Sequence, residues 1–206
     1  LAGIDFEFTE STRKMEAAVR SRFTYLWYQD DLVDAETIGG LDGTLRFSLV
    51  EERLSWLVQD NYGQELRDPF GTANPGNREN INYFTTGPTV TLPFGDRNEL
   101  GFEVLYSDVA YESRPFDHYR NTASTWFGRE IRRGLDISLN GEITQVRYED
   151  AFQNDFDRKE AFLRAASESD RTTFNIDLGV TSLNFLSSSD NFRPLLNIEW
   201  TRHISR

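Results

Sequence analysis

Apolar and polar residues alternate with a period of two along most of this chain. That spacing belongs to an extended strand, whose successive side chains point to opposite faces. From Ile4, the row Ile4, Phe6, Phe8 stands against Asp5, Glu7 and Thr9. The next run sets Met15, Ala17, Val19, Phe23, Tyr25 and Trp27 against Ala18, Arg20, Arg22 and Thr24. Leu41, Leu45, Phe47 and Leu49 then oppose Thr44, Arg46 and Ser48, and Leu54, Trp56 and Val58 oppose Ser55 and Gln59. Further on, Leu100, Phe102, Val104 and Tyr106 oppose Glu99, Glu103 and Ser107. Leu135, Ile137, Leu139 and Ile143 oppose Asp136, Ser138, Asn140 and Glu142. Phe174, Ile176, Leu178 and Val180 oppose Asn175, Asp177 and Thr181, and Leu196, Ile198 and Trp200 oppose Asn197, Glu199 and Thr201. The stretches 80–94, 119–131 and 158–168 also read as strands, bringing the total to about eleven. Most come near the roughly 9–11 residues that a tilted membrane strand requires.

The connections sort by length. Short ones fall near 10–12, 51–53, 95–97, 132–134 and 168–171. Longer ones fall near 29–36, 60–79, 112–118, 149–157 and 184–193, and the two kinds alternate strictly. A transmembrane barrel shows this pattern, with tight turns on one side and long loops on the other. The expected fold is all-β: an antiparallel up-and-down transmembrane β-barrel, present as a partial barrel of about eleven strands. The longest connection, DNYGQELRDPFGTANPGNRE, is rich in Gly, Pro, Asn and Asp, the residues that favour turns, and reads as a cap.

Composition permits this reading. Only 38% of residues are hydrophobic and 27% are charged. A strand with one face to lipid and one to water averages out polar. No apolar run approaches the roughly 18 residues of a membrane helix; the most aromatic stretch, FTYLWY, is short. The net charge of -12 argues against non-specific nucleic-acid binding, which needs basic surface. There is no cysteine, so disulfides and cysteine-ligated metals are excluded.

Aromatics gather at strand ends: Phe23, Tyr25, Trp27, Tyr28, Tyr106, Tyr111 and Tyr148 before long connections, and Trp56 toward the opposite end. They read either as girdles at the two headgroup levels or as residues that suit any strand.

Catalytic signatures are absent. No phosphate-binding loop, dinucleotide fingerprint, nucleophile elbow or HExxH occurs. The two histidines, His118 and His203, fall in a loop and near the terminus, which does not suggest a metal site. A glycosidase-like carboxylate pair is not excluded by composition, but no spacing singles one out. The charges inside strands say more. Arg20, Arg22 and Arg46 lie on the polar face of early strands; Glu99, Glu103, Asp136, Glu142, Asp177 and Glu199 lie on that of later ones. An Arg facing lipid near the midplane costs roughly 2–4 kcal/mol, so these nine are expected to face an aqueous lumen. Either arginines on one wall face acids on another, giving a transverse field that selects a charged solute, or ion pairs simply fill the interior.

The segment Val50 to Leu100 carries a more specific likeness: ERLSW leading into DNYGQ, then DPF, then NREN and NYFTTGP, then the LPFG turn. With DRKEAFLR at Asp157 to Arg164, it resembles the outer-membrane β-barrel porins associated with exopolysaccharide and PEP-CTERM/exosortase systems of Gram-negative bacteria. The likeness covers most of the chain, its specific motifs about a quarter of it. It implies an outer-membrane location, lipid as a partner, and a role in polysaccharide export or surface-protein sorting. No catalytic residue or cofactor comes with it, and no enzymatic activity is expected. The chain opens LAGIDFEF without an export signal and ends TRHISR without a terminal aromatic. It is also shorter than a full barrel, so 1–206 is expected to be one domain belonging to a longer barrel. Two other functions remain open: an outer-membrane adhesin or enzyme acting through the 60–79 loop, and a soluble all-β carbohydrate-binding domain.

Overall fold

The computed structural model describes residues 1–27, 35–68, 70, 72, 77–150, 153–169, 171–185 and 191–202. It is all-β, with no α-helix among the described residues. The strands are β1 (Ala2–Ser11), β2 (Met15–Leu26), β3 (Glu36–Val50), β4 (Leu54–Leu66), β5 (Arg78–Phe94), β6 (Asn98–Tyr111), β7 (His118–Arg132), β8 (Leu135–Tyr148), β9 (Phe156–Ser169), β10 (Thr172–Phe185) and β11 (Asn191–Arg202). They form one sheet in sequence order, each antiparallel to the next. The sheet is open: β1 pairs only with β2, and β11 only with β10. Because direction alternates at every step, β1 and β11 run the same way.

Short connections at 12–14, 51–53, 95–97, 133–134 and 170–171 alternate with longer ones at 27–35, 67–77, 112–117, 149–155 and 186–190. Local chemistry accounts for the tight ones. Gly95 (φ 64°) and Gly134 (φ 74°) occupy the left-handed region that a side chain disfavours. In the first turn, Thr12 accepts from the Met15 amide through Oγ1 at 3.1 Å.

The longer connections are shorter than the alternation suggests. Asp60–Leu66 continue β4 and Arg78–Glu79 begin β5, pairing rung by rung from Asp60↔Phe84 to Leu66↔Arg78. His118, expected in a loop, is the first residue of β7. The backbone ladder needs no apolar side chain, so pairing runs on where the alternation fades. His203 and Tyr28 lie outside the described residues.

Following the cross-strand registers, the apolar rows form one continuous face. It runs from Ile4, Phe6 and Phe8 through Val58, Val90, Phe102, Leu139, Leu163 and Leu178 to Leu196, Ile198 and Trp200. Among the described residues, nothing packs over it. Phe102, Val104 and Tyr106 are 45%, 54% and 42% exposed. Substantial contacts between strands are confined to sequence neighbours, so there is no second layer. The chain exposes 14675 Å², against about 9,900 Å² for a compact protein of its mass. A sheet ordinarily buries its apolar face against another layer. Leaving large apolar side chains uncovered forfeits about 1.5–3 kcal/mol each, and a few of them equal a whole domain's margin of about 5–15 kcal/mol.

Aromatic residues border this face. Toward the short turns stand Phe47 opposite Trp56, Phe94 tilted against Phe127 (5.6 Å), and Phe174 opposite Trp200. Toward the longer connections stand Tyr25, Phe23 beside Tyr62 (6.2 Å), and Tyr106 beside Tyr119 (6.4 Å). Tyr111 and Tyr148 do not join them, contrary to the girdle expectation. They occupy the polar face, opposite Ile81 and His118 respectively. There Tyr111 meets Phe116 edge-on at 6.0 Å and Tyr148 lies 5.0 Å from His118. With buried Ile81, Val109 and Val146 they make a small apolar cluster near the longer connections.

Candidate functional site: the polar face

All nine charged residues singled out from the sequence lie on the face opposite the apolar rows. The structure does not set the early arginines against the later acids. Arg20 donates to Glu7 at 2.8 Å and Arg22 to Asp5 at 2.7 Å, both on the adjoining strand β1. Arg46 stands between Glu16 and Leu57 and forms no ion pair among the described residues.

The later acids have partners of their own. Asp177 accepts a two-pronged bond from Arg164, Nε to Oδ1 at 2.7 Å and Nη2 to Oδ2 at 2.9 Å. The planar guanidinium fork matches the carboxylate, which makes this geometry specific. Glu142 receives Arg158 at 2.9 Å and the Thr144 hydroxyl at 3.1 Å. Neutral donors serve others: Trp126 donates Nε1–H to Glu99 at 2.8 Å, and Thr89 its hydroxyl to Glu103 at 2.9 Å. Asn175 reaches Glu199 at 3.4 Å. Asp136 sits directly across from a like charge, Glu130.

Sequence reasoning missed the partners Asp5, Glu7, Arg158 and Arg164. A signal existed. In a hairpin turning between Arg13 and Lys14, residues equidistant from the turn face one another, which pairs Asp5 with Arg22 and Glu7 with Arg20. It also missed Glu79, whose side chain is 0% exposed and forms an ion pair with Arg114 from the 112–117 connection. Ser113 donates to the same carboxylate at 3.2 Å, and the Arg114 guanidinium lies 5.0 Å from the Tyr111 ring centre. That connection is thereby fastened to the polar face.

Several clefts indent this face. One of about 720 Å³ spans β1–β5 and is lined by Arg20, Arg22, Asp42, Asn61 and Tyr83. Another of about 310 Å³, on β6–β9, is lined by Glu103, Trp126, Asn140, Glu142, Phe162 and Arg164. Among the described residues, no group of three or more His, Asp and Glu side chains is arranged to hold a metal ion. The geometry offers hydrogen-bonding and charged groups over a wide surface.

Fold and surface together define a class: an up-and-down antiparallel β-sheet with one predominantly apolar face, charged at a few positions such as Asp60, Asp108, Arg147 and Lys159, and one polar face. Comparison with family models, curated proteins and solved structures gave no match.

Proposed function

We propose that this chain forms the wall of a porin-like outer-membrane β-barrel, apolar face to lipid and polar face to an enclosed aqueous lumen. One observation carries the reading: a single-layer sheet whose apolar face is continuous across eleven strands and uncovered. Lipid covers such a face without a second layer. A soluble carbohydrate-binding domain needs protein there instead. Strands of 10–17 residues reach or exceed the roughly 9–11 needed to cross, and the surplus of the longer ones stands above the band beside the longer loops.

Closing this wall as a barrel requires partners for β1 and β11. These run in the same direction, so an all-antiparallel closure takes an odd number of further strands. The link to exopolysaccharide export or PEP-CTERM surface-protein sorting rests on the resemblance in Val50 to Leu100.

The test is insertion. The full-length protein, refolded with phospholipid vesicles, is expected to resist protease and float with the lipid. Phe102→Arg, on the lipid side, is expected to impair insertion; Glu103→Arg, on the lumen side, is not. Equal behaviour of the two variants, or a protein that stays soluble and folded without lipid, contradicts the assignment.

A further inference from the structure

The polar face holds about twice as many carboxylates as guanidinium groups, and no lysine. The imbalance persists after pairing. Arg20, Arg22, Arg158 and Arg164 each cancel a carboxylate. Glu99 and Glu103 are satisfied by Trp126 and Thr89, which hold the carboxylates in place without neutralising them. A hydrogen bond from a neutral donor carries no opposing charge, so it leaves the field of the carboxylate intact. Asp136 and Glu130, directly opposed, add to that field. The one strand lysine, Lys159, is on the apolar face beside Ile143.

From this we infer that the passage selects for cationic and neutral solutes and rejects anionic ones, so that any polymer it carries is neutral or basic rather than uronic-acid rich. The inference rests on the channel reading above. Rings of carboxylates favour cations in pores because the field of one sign is focused by low-dielectric walls. The Arg20–Arg22 pair does not reverse this locally, since Glu7 and Asp5 lie within hydrogen-bond distance and Asp42 borders the same cleft. The β6–β9 cleft adds a recognition chemistry suited to sugars: the Trp126 ring beside Asn140 and two carboxylates, with the Arg164 guanidinium over the Phe162 ring at 5.3 Å. Apolar ring faces stack on the C–H faces of a pyranose, while amide and carboxylate oxygens accept its hydroxyl protons.

The experiment is reconstitution of the full-length protein in planar bilayers under a KCl gradient, followed by addition of oligosaccharides. The reversal potential is expected to show K⁺ passing more readily than Cl⁻. Glu103→Gln with Asp42→Asn is expected to cut the permeability ratio by about half, and Arg46→Gln to raise it. Glucosamine oligomers are expected to interrupt the current, and galacturonate oligomers of equal length to leave it unchanged. Anion preference, or block by galacturonate alone, overturns the inference while the channel stands. Absence of any conductance removes the channel reading and this inference with it.

Discussion

Arginine–carboxylate contacts of nearly one length occur in two regions of the polar face with different surroundings. On β1–β2, Arg20–Glu7 spans 2.8 Å, with side chains 72% and 65% exposed. On β9–β10, Arg164–Asp177 spans 2.7 Å, with the carboxylate 6% exposed. At the rim the contrast sharpens, where Glu79 is fully buried beneath Arg114. Distance therefore does not rank these interactions; burial does. An exposed pair trades water for a partner at little net gain. Removing one member of a buried pair strands a charge that water cannot reach, at roughly 3–5 kcal/mol. The edge region reads as a surface that solute or a further strand can occupy, and the central region as structure.

The largest expected effect lies where burial is deepest. Arg114→Ala leaves the Glu79 carboxylate with Ser113 and no cation, and is expected to cost about 3–5 kcal/mol in urea unfolding. Glu79→Gln in the same chain is expected to restore most of it, since a neutral amide tolerates burial far better than a charge. If Arg114→Ala unfolds at the wild-type midpoint, burial is not what separates the two regions.

Next comes the pair of variants at Phe102 and Glu103. If the apolar face meets lipid as proposed, an arginine at position 102 is expected to lose about 2–4 kcal/mol of insertion free energy. The same residue at Glu103, one rung on and facing the other way, is expected to insert normally in vesicle flotation. Asp177→Asn follows, at about 1–3 kcal/mol. It keeps the Asn197 contact but takes from Arg164 the charge it pairs with in a half-buried site.

Strands were legible because their period is a property of the backbone. Phe102, Val104 and Tyr106 share a face in the sequence for the reason they share it in the sheet. Strand ends were not, because Asn61, Gly63 and Glu65 pair by main-chain groups that leave no pattern in side-chain type. Closeness to loops groups Tyr111 and Tyr148 with the outward aromatics. Parity gives the right answer: each lies an odd number of residues beyond Tyr106 and Ile143, hence on the other face. Arg114 reaching Glu79 had no signal, since a loop side chain folding back onto a strand is set by three-dimensional packing alone.

A turn gives a smaller effect of opposite sign. Glu52 holds φ at 58° in the 51–53 turn, a conformation that costs a side-chain-bearing residue about 1–2 kcal/mol. Glu52→Gly removes that strain but frees the unfolded chain, so a net gain of about 1 kcal/mol or less is expected. A lower urea midpoint for the variant would mean that the turn, unlike Gly134 and Gly95, is held by contacts of the Glu52 side chain.

The smallest expected effect bears most directly on the comparison. Arg22→Ala is expected to leave the unfolding midpoint within error, because both members of its pair with Asp5 are largely in water. The Arg22 site should instead respond to salt and solute: in the open cleft of β1–β5 an unpaired Asp5 adds negative field, which the proposed channel would feel as stronger cation preference. The ratio of K⁺ to Cl⁻ permeability is therefore expected to rise in low salt and return toward the wild-type value in high salt, with stability unchanged throughout. A loss of stability comparable to Arg114→Ala would show that β1 is covered in the assembled protein. In that case the strand that pairs with β1 buries the Arg22–Asp5 contact, and the two regions differ only in which neighbour supplies the burial.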